Sequence, residues 1–372
     1  MTLTRNAAVA VAALTALLAV PATASASPAP AGSVPTGTVP TSFGPSSSSW
    51  LTPRHGYVLG YAGSTGYLLE TTDGGARWSR LTAPPISLPD NHNHVALTVP
   101  DAKHAFVSDG EHIQASTDGG RHWSAVTLAG LAAPSYLTKI TIANGQVLAL
   151  ASTMSRPDHN TTQLYSGKVG ARTLQPVPGL SIDGNTTYGD LAVGGGVQVS
   201  VGADYADSKY WTSTDGVHFT ASPLPCGTDK QTELDGARQG KVLALCLGDP
   251  SNPSPGHMHK QLVTAAALGV RFLPSDAEAP LPGIIQGFAA GSDQNAAIAA
   301  TGGGVEFLYN TTDGGRTWQT TELDEDRFGL ADLQFVDYAV GTVVTGAPDA
   351  FGGSVLYRTT DSGHSWQPLT FK

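Results

Sequence analysis

Two His-x-His pairs, His92-Asn93-His94 and His257-Met258-His259, stand out among the 11 histidines of the chain. On an extended segment, residues i and i+2 point to the same side, so each pair presents two imidazoles together, a common metal-ligand arrangement. Carboxylates cluster in similar polar stretches, Asp158-His159-Asn160 and Asp204-Tyr205-Ala206-Asp207. His92, His94, Asp158, His159, Asp204, Tyr205, Asp207, His257 and His259 therefore make up the candidate ligand set. Imidazoles with carboxylates suit a divalent cation. Two carboxylates about 5 to 9.5 Å apart suit glycoside hydrolysis. The blander role, solvated loop side chains, fits the same residues, and spacing alone assigns none of them a catalytic role. The acidic run Glu322-Leu323-Asp324-Glu325-Asp326 suits a cation or a basic partner, or again a solvated loop.

What positions these groups is a repeat. Thr71-Thr72-Asp73-Gly74-Gly75-Ala76-Arg77-Trp78 returns as Ser116-Thr117-Asp118-Gly119-Gly120-Arg121-His122-Trp123, as Thr311-Thr312-Asp313-Gly314-Gly315-Arg316-Thr317-Trp318 and as Thr359-Thr360-Asp361-Ser362-Gly363-His364-Ser365-Trp366. A fifth copy, Ser213-Thr214-Asp215-Gly216-Val217-His218-Phe219, is one residue shorter and ends in Phe. The pattern is that of a β-hairpin corner: a strand leads in, the Asp accepts from turn amides, a glycine supplies positive φ, and the aromatic ring starts the return strand and packs on the strand before it. A carboxylate held by turn amides is a poor acid or base, so Asp73, Asp118, Asp215, Asp313 and Asp361 read as structural, as do Trp78, Trp123, Phe219, Trp318 and Trp366.

The aspartates are separated by 45, 97, 98 and 48 residues. The long gaps are twice the short ones, so degenerate units are expected near Leu164-Tyr165-Ser166 and Leu262-Val263-Thr264. Seven units of about 48 residues each match the length of a four-stranded blade. The expected fold is all-β: a seven-bladed β-propeller of four-stranded antiparallel blades. Apolar runs such as Gly56-Tyr57-Val58-Leu59-Gly60 and Lys241-Val242-Leu243-Ala244-Leu245 read as its inner strands. The hairpin corners then occupy one face, and the candidate ligand set falls on loops of the other.

Composition agrees. The 372 residues include 44 Gly and 25 Pro, with 13% charged and 40% hydrophobic, and the net charge is -10. Without a basic face, a nucleic-acid partner is not expected. Residues 1–26 read as a secretory signal peptide: Arg5, an apolar run from Ala7 to Val20, and Ala24-Ser25-Ala26 at the cleavage point. Residues 27–49, rich in Pro, Ser and Gly, read as a linker, and 50–372 as the propeller; Val39 to Phe43 is the segment expected to pair with the last blade and close the ring. In an oxidising compartment the two cysteines, Cys226 and Cys246, are expected to form a disulfide.

The five corner segments resemble Asp-box (BNR) repeats of sialidase-like propellers. With the strand Gly56-Tyr57-Val58-Leu59-Gly60 they also resemble the plant-type photosystem II stability and assembly factor family. The resemblance covers about residues 46 to 372 and implies the propeller fold more specifically than any function. A sialidase would carry a Phe/Tyr-Arg-Ile/Leu-Pro motif near its start, whereas the only early candidate here is Pro53-Arg54-His55. The expectation is a secreted, monomeric, non-enzymatic binding or assembly module for a protein or glycan partner, with no membrane anchor after cleavage. No cofactor is required, and a divalent cation is compatible with the histidine pairs. The alternative is an extracellular glycoside hydrolase, exo-sialidase-like or otherwise glycan-cleaving.

Overall fold

The computed structural model describes residues 38–87, 95–131, 135–156, 159–203, 206–228, 230–238, 241–248, 256–323, 329–348 and 353–371, with the side chains of 155–156, 206–207 and 237–238 excepted. The expected signal segment lies outside the described residues. Every helix-or-strand element among them is a strand, twenty-eight in all. In the first group, strands Gly44–Trp50, Gly56–Ala62, Thr65–Thr71 and Ser79–Leu81 pair antiparallel in chain order. The same meander recurs over 96–128, 135–184, 187–221, 231–274, 284–322 and 330–368. Groups two and three merge into one eight-stranded sheet, because Thr127-Leu128 pairs in parallel with Thr173-Leu174. Both degenerate segments anticipated from the spacing, 164–166 and 262–264, lie in the third strands of their groups, His159–Lys168 and Lys260–Ala265.

The second strand of each group is the most deeply buried: Val197–Ala203 is buried at every position, and Val58 and Leu59 have no exposed surface. Such a strand lies mid-sheet with neighbouring sheets covering both faces, which is why it reads as a continuous apolar run. This corrects the sequence expectation that these runs are the inner strands. The innermost are the first strands, one step earlier and far more polar, and they touch the first strands of neighbouring groups.

Apolar packing runs between groups. Among the described residues the core divides into seven clusters, each bridging adjacent groups. Leu59 and Leu81 meet Leu97 and Val107, and the series ends with Val344 and Leu356 of the last group against Trp50, Val58 and Trp78 of the first.

The closing contact corrects a second expectation. Gly44–Ser49, assigned to the linker by its serine content, forms most of the first strand. Ser47 Oγ accepts from Leu97 N–H (2.7 Å) and Ser49 Oγ from Val99 N–H (2.9 Å) of group two. On the other side, Ser48 N–H and the Ser47 hydroxyl donate to Asp332, and Trp50 N–H donates to Gln334 Oε1 (3.2 Å) of group seven. Small hydroxyl side chains fit where first strands crowd together; they satisfy backbone groups of group two and side chains of group seven. Val39 and Phe43 pack on this seam, with the Phe43 and Phe371 rings 4.8 Å apart, but they form no strand. Arg358 clips the same seam by donating to Gly74 O and Pro53 O.

The five hairpin corners share one bonding pattern. Thr71 Oγ1 donates to Asp73 (2.9 Å) and accepts from Gly75 N–H (2.9 Å), while Arg77 N–H donates to Asp73 (2.9 Å). The same pattern binds Asp118, Asp215, Asp313 and Asp361. These bonds hold Asp73 below the usual carboxylate range, foremost the Arg77 amide. Burial works to raise Asp118 and Asp313, but the hydroxyl, imidazole and amide donors outweigh it and bring each to about 2. Two of the rings also bond to the preceding group: Trp123 Nε1 donates to Thr82 O and Trp78 Nε1 to Thr370 O, each at 3.3 Å.

The disulfide is present, joining Cys226, ahead of group five, to Cys246 in its second strand.

Candidate functional site

His92, His94, Asp158, Asp204 and Tyr205 lie outside the described residues, and Asp207 is placed only by its backbone, in the strand Ala206–Ser213. His159 opens the third strand of group three, with Nε2 3.9 Å from Asp183. His257 and His259 precede the third strand of group five, and His259 Nδ1 lies 2.7 Å from Glu278. Among the described residues no three His, Cys, Asp or Glu side chains converge as a metal site. Next to His259, Lys260 is fully buried. Its ammonium donates to the carbonyls of Met258, Pro280 and Leu281 (each 2.9 Å) and Pro282 (3.1 Å), and it lies 5.4 Å from the centre of the Tyr309 ring. Burial pushes Lys260 down to about 8, with the charge of Glu278 opposing. Every donor of this cation is engaged by the loop it braces, a structural role.

The charged groups that the structure does bring together sit on the first strands of groups three, four and five. Lys139 Nζ lies 2.7 Å from Asp190 Oδ1. Asp190 also accepts from Leu191 N–H (2.8 Å) and, across the boundary between groups, from Leu234 N–H (2.6 Å). Asp235 repeats this device by accepting from Ala290 N–H of group six, as Asp332 does from Ser48. Each carboxylate thus ties one first strand to the next.

Glu233 differs. It is held by Gln231 Nε2 (3.0 Å), and burial, followed by the charge of Asp190, pushes it up to about 7 against the pull of Lys139. For Lys139, burial works against the charge, yet Asp190, Glu233 and Asp235 outweigh it and raise its pKa. Its side chain is nevertheless 45% exposed. Among the described side chains of the first strands Lys139 is the only cation, and the charges of Asp190, Glu233 and Asp235 act on it.

Sequence reasoning did not single out these residues, although a trace of them was there. Asp190, Asp235 and Asp332 are separated by 45 and 97 residues, the same intervals as Asp73, Asp118 and Asp215.

No family model matches the chain, and no curated protein matches it in sequence. Solved structures do match. YCF48 bound to D1 peptide is 17% identical, with 88% of this chain and 95% of that one aligned at a TM-score of 0.51. YCF48 from Cyanidioschyzon merolae is 16% identical, with 88% and 98% aligned at 0.50. A puromycin hydrolase is 11% identical at 0.53, and there the alignment covers 87% of this chain but 54% of the other. At such identities the likeness concerns the fold, and it supports what the antiparallel four-stranded groups indicate: the chain is an all-β protein of β-propeller type.

Proposed function

We propose that this chain is a secreted seven-bladed propeller that binds a partner, and that the acidic cluster at the first strands of blades three to five receives a basic group of that partner. Seven four-stranded groups, and seven inter-group clusters of which the last returns to the first, support seven blades. The Asp-box reading of the five corners rests on their shared bonding pattern. A disulfide is compatible with an exported protein.

The observation that carries the binding role is the way the acidic groups are held. Asp190, Asp235 and Asp332 are engaged by backbone amides of neighbouring blades, so their charge is fixed in place as a field. Glu233 adds a carboxylate that ionises near neutrality and gains from a cation beside it. The YCF48 neighbour bound to D1 peptide supports a peptide as the type of partner.

One observation favours hydrolysis instead: Glu233 beside Asp190 pairs a carboxyl raised to about 7 with an ionised neighbour, the pattern of an acid and its stabiliser. A random-peptide display against the purified protein, run beside a panel of fluorogenic glycosides, separates the two. The binding role predicts enriched peptides containing Lys or Arg whose affinity falls at least fivefold in Glu233→Gln. Glycoside turnover lost in Glu233→Gln would establish the hydrolase.

A further inference from the structure

Strand register assigns one ring to each hairpin corner. Glu70 pairs with Ser79, Ala115 with Ser124, Thr212 with Thr220, Thr264 with Leu273, Asn310 with Gln319 and Arg358 with Gln367. The residue before each second partner is Trp78, Trp123, Phe219, Phe272, Trp318 or Trp366. In group three the matching pair is Ser166 with Gln175, and the residue is Leu174. Where Trp123 reaches back to Thr82 of group one, the smaller Leu174 leaves a cleft of about 180 Å³ against group two, lined by Phe106, Val126, Val147, Val169 and Leu174 and, in similar measure, by Ser116, Thr117, Ser124 and Arg172.

The size and walls of the cleft indicate what fits. A cavity of about 150 Å³ with apolar walls accepts benzene, so this one has room for an aromatic ring. Beside it Thr127-Leu128 pairs in parallel with Thr173-Leu174, the two threonine hydroxyls 3.0 Å apart. Among the lining residues Arg172 alone carries a permanent charge, while His104 is tied to Asp101 at 2.7 Å. We propose that this cleft binds a small planar aromatic molecule bearing an anionic group, seated where the other blades place their own ring. The site is separate from the acidic cluster and independent of the function assigned to it.

The test is a titration of the purified protein with indole and with indole-3-carboxylate by calorimetry and ligand-observed NMR. The expected result is saturable one-site binding, with the carboxylate at least threefold tighter. Leu174→Trp supplies the missing ring in place and should weaken both ligands at least tenfold. Arg172→Gln should remove the preference for the carboxylate. Near-UV circular dichroism checks that Leu174→Trp is folded; if it is not, Ala115→Phe fills the cleft from the opposite wall. Absence of saturable binding to the wild type up to millimolar ligand, or binding that survives the filling variant, overturns the proposal.

Discussion

Replacing Asp190 by Asn tests the physical account of how the first strands are held. The carboxylate is 4% exposed and accepts three hydrogen bonds, from Lys139 Nζ, Leu191 N–H and Leu234 N–H. The amide of Asn retains one oxygen, so in either orientation its NH2 meets a donor. One hydrogen bond to a charged group disappears, worth about 1.5–3 kcal/mol, and a buried donor is left facing another, at about 1–3 kcal/mol. Lys139 loses its counter-charge at little further cost, because water reaches it. The sum is a destabilisation of about 4 kcal/mol. Urea unfolding followed by tryptophan fluorescence should show a lower midpoint with an unchanged slope. Removing the Asp190 charge should also bring Glu233 down from about 7, since that charge helps to raise it. A loss under about 1 kcal/mol with an unmoved Glu233 titration would refute the reasoning.

Glu233 binds a proton more tightly in the folded state, so its contribution is fully present below about pH 4.5 and is lost as pH rises through about 7. Glu233→Gln should flatten stability across that window, as measured by urea midpoints at successive pH values. The hairpin aspartates have the opposite sign: Asp118 and Asp313, held at about 2, contribute stability above about pH 3.8 that is lost as pH falls toward 2. The double variant Asp118→Ala/Asp313→Ala should show a shallower acid-unfolding curve in that range. Lys260→Met takes the donor from the Met258 and Pro280 carbonyls, while Leu281 O keeps Met258 N–H and Pro282 O keeps the Tyr309 hydroxyl, and should cost about 3 kcal/mol in urea unfolding. Replacing Cys226 and Cys246 by serine opens a loop with a sequence separation of 20 and should cost about 3 kcal/mol by the same measurement.

The architecture was legible because its corner motif is dictated by local chemistry. A Thr or Ser hydroxyl, an Asp and a positive-φ glycine form the same turn wherever they occur, and the doubled gaps pointed to the units that had lost the text. The order of strands within a blade was harder to read. Burial on both faces makes a second strand such as Val197–Ala203 the most apolar, and apolarity suggested the centre. First strands are polar because they satisfy one another across blade boundaries, so Ser46 to Ser49 looked like a linker while making the ring closure. The acidic site was hidden for the same reason: Lys139, Asp190 and Glu233 lie on three different blades and meet only when the ring forms. His159 and His259, by contrast, were conspicuous in sequence and lie beside carboxylates, Asp183 of the same group and Glu278 just after the last strand of group five.

The central claim, that a basic partner group sits beside Glu233, is tested most directly by the pH dependence of affinity for a Lys- or Arg-containing peptide enriched by display. Calorimetry between pH 5.5 and 8.5, in two buffers of different ionisation enthalpy, reads affinity and proton release together. The account predicts binding that tightens as Glu233 ionises near pH 7, with a proton released below that pH, and both effects absent in Glu233→Gln. Affinity that is flat across this range, or identical in the wild type and Glu233→Gln, would contradict it.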